Sequence, residues 1–440
     1  MALAKDGNVA VTGVQFGDEG KGQVVDALSE NFDYVVRFNG GANAGHSVWI
    51  GDTKHALHLV PSGILRPHTT NVIANGVVVD PTALIAEMDE LQAAGVRIDA
   101  ENLLLSDRCH LVLPYHKMED GIIDSVMADE TSPDLIETTK RGIGPCYADK
   151  SYRATAVRAV DLLDFGHLEA VVPRIIRVKN ATIGALSELA GLELEPLDAD
   201  EVLQQLSVSA KRLAPHIRDT QSVLHAALAA RKRLLFEGAN ATLLDVDYGT
   251  YPYVTSSTCS TLGVYSGSGL PAGVLDSSIG VAKLYMSRVG TGPFPTEVFG
   301  DHASVIRDAA SEYGTTTGRP RRIGWLDLVA LRHAVRLNGT SSLALTGLAF
   351  LSGLEVVKVC TEYRVDGEVL RVLPASARVL AKAEPIYREF PGFSADVGGI
   401  RGVNDLPSQA RDLIRFVESE ADVPVGVVCV GKEREQLLVR

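Results

Sequence analysis

The run Val9-Ala10-Val11-Thr12 is rich in β-branched residues and opens into a loop carrying Gly13, Gly17, Gly20 and Gly22. The apolar stretch Val24-Val25-Asp26-Ala27-Leu28 then starts a helix. Strand, glycine loop, helix is the unit that aims backbone N–H groups and a helix N-terminus at phosphate. Lys21 adds a point charge to it. The loop departs from the common phosphate loop: six residues rather than four separate Gly13 from Gly20-Lys21, and Gly22 stands where a Mg²⁺-binding Ser or Thr would be. It also contains the pair Asp18-Glu19. A carboxylate so close to phosphate repels the ligand unless it holds a metal or takes a proton. An isolated Asp in such a loop is ordinarily a turn former. With glycines on both sides, and Asn43-Ala44-Gly45-His46 following, Asp18 is read instead as a chemical group.

Strand-like runs recur at Val9–Thr12, Tyr34–Phe38, Asn71–Ala74, Leu103–Leu105, Leu234–Phe236, Leu343–Leu345 and Val425–Val430. Helical periodicity appears at Pro81–Ala94, where Leu84, Met88 and Leu91 fall on one face. Between about residues 160 and 231 the texture becomes Ala-, Leu- and Glu-rich, predicting a helical excursion with helices over Leu168–Leu189 and Ala199–Arg231. Strands alternating with helices predict an α/β fold: one large domain over residues 1–440, with a mostly parallel central sheet flanked by helices.

With 46% hydrophobic residues, the 440-residue chain has ample material for a core. Its net charge of −13, with no extended Lys/Arg cluster, argues against a nucleic-acid partner. The five cysteines are scattered and none has CxxC spacing, which argues against disulfides and a zinc site. No leader-like segment and no 18-residue apolar run is present, so a cytoplasmic protein without a membrane partner is expected.

Further motifs follow the loop in order: Gly40-Gly41-Ala42-Asn43-Ala44-Gly45-His46, His58-Leu59-Val60-Pro61-Ser62-Gly63-Ile64 and Lys140-Arg141-Gly142-Ile143-Gly144-Pro145. After them come Phe236-Glu237-Gly238-Ala239, the stretch from Thr250 to Ser257, Arg288 to Glu297 and Thr316 to Asp327. Together with Gln15-Phe16-Gly17-Asp18-Glu19-Gly20-Lys21-Gly22 they resemble the adenylosuccinate synthetase family. The resemblance implies a fold distantly like the P-loop nucleotide-binding proteins. It also implies a ligase that phosphorylates O6 of IMP with a nucleoside triphosphate and then displaces phosphate with the amine of L-aspartate, with Mg²⁺ as cofactor. By resemblance, Asp18 is the base that takes the N1 proton and a Mg²⁺ ligand, Gly45 is a second metal ligand, and His46 and Lys21 complete the catalytic group. Asp18, Glu19, Gly20, Lys21, Asn43, Ala44, Gly45, His46, Thr139, Asn240, Thr255 and Arg319 would hold the monophosphate nucleotide. Arg153 would reach that site from the second subunit of a homodimer. Thr315, Thr316, Thr317, Gly318, Arg319 and Arg321 would receive aspartate. Gly17, Gly20, Lys21, Gly22, Gln23, Gly45, Arg321, Gly347, Ala349, Cys429 and Gly431 would receive the donor nucleotide.

The sequence also departs from the family. Phe16 replaces a usual Trp, Asn240 a Gln, Gln23 a Lys, and Pro320 stiffens the aspartate loop. The largest departure is Thr346-Gly347-Leu348-Ala349, where the family reads Thr-Lys-Leu-Asp and the Asp accepts the guanine protons of GTP. Val430-Gly431-Lys432 replaces Thr-Gly-Pro at the same pocket. GTP and ATP therefore both remain open as donors, with a weakened or inverted GTP preference expected. The reaction class is that of the family. A specialised relative acting on a 2-amino, deoxy or C-nucleoside monophosphate, and a non-catalytic nucleotide binder, remain alternatives.

Overall fold

Val9–Gly13 is buried at every position and lies in the middle of a ten-stranded sheet. A strand with no solvent-facing side reads as a continuous apolar run rather than an alternating one, which is why it was legible. The computed structural model describes residues 7–50, 53–127, 138–313 and 320–440. Across the sheet the strands run Leu437–Val439, Val425–Cys429, Ser342–Thr346, Ser277–Lys283, Val9–Gly13, Leu234–Glu237, Tyr34–Arg37, Thr70–Ile73, Leu103–Ser106 and Ile217–Arg218. Every neighbouring pair is parallel except the outermost, Val425–Cys429 with Leu437–Val439. Gly13, Arg37, Glu237, Lys283 and Thr346 consequently end their strands on one edge. The loops that build the site spring from this edge.

All seven expected strands belong to this sheet. Ser277–Lys283, paired directly with Val9–Gly13, was not foreseen. Its Ser-Ser start and Gly280 break the apolar signal. Gly280 is required there, because a Cβ would stand 2.9 Å from Val14 Cγ1 and 3.0 Å from Thr340 Cγ2.

The first helices of the chain are α1 (Lys21–Ser29), α2 (Pro81–Ala93), α3 (Pro114–Met127), α4 (Ile143–Tyr152) and α5 (Phe165–Leu189), and all but α2 contribute to the site. Asp80 caps α2 by accepting from Thr82 N and Ala83 N, both at 3.1 Å, with Pro81 in the first turn. The excursion after residue 160 differs from expectation in its second half. Ala199–Arg231 is not one helix but α6 (Ala199–Leu213), the strand Ile217–Arg218 and α7 (Thr220–Ala229). Pro215 removes a helical donor, Ile217 pairs with Leu105 at the sheet edge, and Asp219 recaps the chain on Ser222 N.

A second, largely antiparallel sheet was also not foreseen. It contains Tyr285–Arg288, Arg322–Asp327, Val356–Val365 and Glu368–Leu370, with Glu297–Val298 and Glu384–Pro391 alongside. One residue, Leu284, separates it from the main sheet. A shared apolar cluster holds both, with Val14, Leu343 and Val428 packed with Trp325, Val359 and Phe390. Among the described residues, no helix is long and apolar enough to cross a membrane.

Candidate active site

The glycine loop owes its path to positive-φ residues: Gly17 at 98°, Asp18 at 58° and Gly20 at 85°. Asp tolerates this conformation better than most non-glycine residues, because its short side chain bonds locally. Gly20 caps α1 without a side-chain hydrogen bond, so first-turn amides stay available to an anion. The two carboxylates of the loop face opposite ways. Asp18 lies on a cavity wall with its side chain 37% exposed. Glu19, expected to meet the nucleotide, is turned into the protein instead. It accepts from Gln15 N at 3.2 Å and Gly17 N at 2.8 Å, and pairs with Lys21 Nζ at 2.7 Å. Glu19 thus satisfies the donors of a tight loop and holds Lys21 in place. Gly13 must lack a Cβ for the same reason, since one would sit 2.5 Å from Glu19 Oε2.

The cavity measures about 830 Å³. Gly17, Asp18, Lys21, Asn43, Ala44, Gly45, His46, Thr139, Asn240 and Thr255, all expected at the site, line it together. Arg37 pins the segment before His46 by donating to Gly41 O at 2.8 Å and to His58 O. Asn43 Nδ2 donates to Thr255 Oγ1 at 3.3 Å. His46 Nδ1 bonds Glu237 Oε1, and the same carboxylate accepts from Ser62 N at 2.7 Å and Ser62 Oγ at 2.6 Å. Burial alone would raise the Glu237 carboxyl, but His46 and Ser62 outweigh it and hold the group below its usual value. An ionised Glu237 requires the proton on His46 Nδ1, which leaves Nε2 as the neutral ring's acceptor nitrogen. His46 Nε2, Asn43 Oδ1 and Asn240 Oδ1 are buried without a hydrogen-bond partner, and their residues all line the cavity. Buried polar atoms are ordinarily satisfied, so three left without a partner among the described residues, all on residues of one cavity lining, point to that lining as the place for a polar ligand.

Arg321 bridges two carboxylates, with Nη2 2.9 Å from Asp18 Oδ2 and Nη1 2.6 Å from Glu312 Oε2. The expected aspartate residues Thr315, Thr316, Thr317, Gly318 and Arg319 lie outside the described residues. Arg153 is exposed at the C-terminus of α4, at φ 74°, and does not line its own subunit's cavity.

At the donor end, the Gln23 side chain is engaged with the protein. Its Nε2 donates to Gly431 O at 3.1 Å and Glu433 O at 2.6 Å, docking the C-terminal loop on α1. Arg434 grips Asp26 through two bonds of 2.6 and 2.7 Å and reinforces that docking. Gly347 has φ 76°, and a Cβ there would lie 2.7 Å from Tyr285 Cε1. Ala349 is half-buried against the core, and Lys432 Nζ lies 5.3 Å from the centroid of Phe350. Cys429 is buried, which pushes its thiol up to about 12, so it offers shape rather than reactivity.

Among the described residues, no group of three or more His, Cys, Asp or Glu side chains gathers as a metal site. Mg²⁺ does not need one, since it is commonly bound through one or two carboxylates plus substrate phosphates. Asp18 and Gly45, both in the lining of the cavity beside a phosphate-type loop, fit that demand by their chemistry.

Sequence reasoning left three functional neighbours without a role. Glu237, at the end of its strand, is 191 residues from His46. Arg288 stacks its guanidinium 4.4 Å from the Phe16 centroid and donates to Pro293 O at 2.7 Å. Glu312 anchors Arg321. Each lies in or beside a quoted motif; His46 is distant in sequence from Glu237 and Phe16 from Arg288, whereas Glu312 and Arg321 are only nine residues apart.

A sequence-family profile for adenylosuccinate synthetase matches residues 10–438. The adenylosuccinate synthetase of Moorella thermoacetica is 44% identical over 431 residues, 98% of each chain. The fully ligated adenylosuccinate synthetase of Plasmodium falciparum superposes with a TM-score of 0.89 at 37% identity, covering 98% of this chain and 99% of that one. A cyanophage S-2L succinoaminodeoxyadenylate synthetase, solved with dGMP and with dATP as an energy donor, shares the fold at a TM-score of 0.62 and 18% identity. A profile match along nearly the whole chain, joined to the cavity just described, places the protein in the adenylosuccinate synthetase family of ligases.

Proposed function

We propose that this protein joins L-aspartate to C6 of IMP, using a nucleoside triphosphate, through a 6-phosphoryl intermediate. The observation that carries the reading is the convergence on one cavity lining of Asp18, His46 and Lys21 at the amide end of α1. A 6-oxopurine carbonyl is a poor electrophile, because its oxygen would leave as hydroxide. Asp18 removes the N1 proton, which makes O6 a nucleophile toward the terminal phosphorus of the donor. Lys21 and the α1 amides receive the phosphates, and His46 Nε2, fixed by Glu237, hydrogen-bonds the transferring oxygen. The aspartate amine then attacks C6 and phosphate leaves, so the poor leaving group has become a good one. Asp18 and Gly45 would hold Mg²⁺, which neutralises charge on the phosphates.

Asn43, Thr139 and Thr255 form the monophosphate cradle within one subunit, and Arg153 of a second copy completes it. The exposed position of Arg153 outside its own cavity supports this arrangement. Mixing inactive Asp18→Asn protein with inactive Arg153→Leu protein is then expected to restore activity. Random exchange gives hybrid dimers with one intact site each, about a quarter of wild-type activity. No recovery on mixing would mean that Arg153 acts within its own subunit or not at all.

The direct test of the reaction is formation of adenylosuccinate from IMP, L-aspartate and either GTP or ATP, each component being required. Turnover on GMP or dGMP without turnover on IMP would assign the protein to a different purine nucleotide. The shortened Asn240, with its unpartnered Oδ1, is where such a change would be read.

A further inference from the structure

Glu312 lies outside the residues that the family resemblance assigns, yet it is the hub of a buried charged network. It is 4% exposed. Its Oε1 accepts from Lys283 Nζ at 2.6 Å and from Tyr285 OH at 2.7 Å, while Oε2 accepts from Arg321 Nη1 at 2.6 Å. Lys283 is 3% exposed and has Ser287 Oγ as its other partner. Burial opposes ionisation of Glu312, but Lys283 and Arg321 outweigh it and hold the carboxyl down to about 2. The backbone repeats the link, because Arg321 N donates to Glu312 O at 2.9 Å and Tyr313 bridges to Pro320.

Arg321 is thus gripped at one guanidinium nitrogen and extended at the other. Nη1 belongs to Glu312, Nη2 reaches Asp18, and Nε has no partner among the described residues. A guanidinium is a planar fork, so fixing one arm sets the direction of the remaining donors. A long side chain otherwise samples many rotamers, and ordering it at the moment of binding lowers affinity.

We infer that Glu312, braced by Lys283, is a positioning residue that holds Arg321 in the orientation needed to receive the carboxylate of aspartate beside Asp18. The inference rests on the proposed role of Arg321 as an aspartate ligand. Glu312 touches no substrate; it acts through Arg321 alone.

Glu312→Gln by itself leaves Lys283 buried without its counter-ion, which endangers the fold. The informative variant is therefore Lys283→Met/Glu312→Gln, which removes both charges together. Its KM for L-aspartate is expected to rise about tenfold or more, with kcat and the KM for IMP within about threefold of wild type. In an Arg321→Met background the same pair is expected to add less than about twofold, because its route to the substrate is gone. A thermal melt confirms that each variant is folded. An unchanged aspartate KM in the folded double variant overturns the inference, as does an equal increment in the Arg321→Met background. If Arg321→Met alone leaves the aspartate KM unaltered, the aspartate-site reading falls and takes the inference with it. That result is distinguishable, because Arg321→Met on its own produces it.

Discussion

Asp18→Asn is expected to abolish turnover while leaving IMP binding within about threefold of wild type. The substitution suits the backbone: Asp18 sits at φ 58°, a conformation Asn tolerates as well as Asp. The loop's internal support also survives, since it comes from Glu19 rather than Asp18. The carboxamide cannot take the N1 proton and is a poorer metal ligand. General-base removal costs about 10²- to 10⁴-fold, and loss of the metal contact proposed for Asp18 would add to it. A fall in kcat of at least about a thousandfold is therefore the expected result, measured with binding followed separately by calorimetry. Residual activity above about one-tenth of wild type would mean that another group takes the proton.

The second large effect concerns donor choice. A hydrogen-bonded pair between a buried carboxylate and the guanine N1 and N2 protons contributes about 2–4 kcal/mol, or roughly 30- to 1,000-fold in selectivity. Ala349 has no acceptor to offer. Gly347 cannot regain a Lys stem without displacing Tyr285, whose ring lies 2.7 Å from where its Cβ would be. Tyr285 is fixed in turn by Glu312. The segment expected to receive the donor base is thus consistently altered, whereas the loop expected to receive its phosphates keeps Asp18, Gly20, Lys21 and Gly22. The ratio of kcat/KM for GTP to that for ATP is expected to be near one or below it. Ala349→Asp should shift that ratio toward GTP by about tenfold or more, since position 349 is half-buried and has no positive-φ constraint. A wild-type preference for GTP above about a hundredfold would show that other groups of the C-terminal loop read guanine.

What the sequence revealed and what it hid divide along physical lines. The strands of the main sheet are buried on both faces and read as apolar runs, so seven of them were legible. Ser277–Lys283 was hidden by Gly280, which the close approach of Val14 and Thr340 demands. Val356–Val365 was hidden because a bulge between Cys360 and Glu362 breaks its alternation of inward and outward residues. The helical pattern from Ala199 to Arg231 continues across Pro215, and a two-residue edge strand is too short to disturb it. Asp18, Lys21, Asn43 and His46 were expected together because glycine-rich neighbours surround them, and they line one cavity. The inward turn of the Glu19 side chain was not legible, because the sequence shows its nearness to the phosphate-type loop but not the Gln15 and Gly17 amides it accepts from. Glu237 and Glu312 were not assigned because their roles come from tertiary contacts, with His46 in one case and with Lys283 and Arg321 in the other.

The central claim is that O6 is phosphorylated before nitrogen arrives, and the fate of that oxygen tests it most directly. IMP labelled with ¹⁸O at the 6-position is incubated with enzyme, L-aspartate, Mg²⁺ and ATP or GTP, and the products are analysed by mass spectrometry and ³¹P NMR. The account predicts one ¹⁸O atom in the inorganic phosphate for each adenylosuccinate formed. Label recovered in water, with unlabelled phosphate, would contradict it.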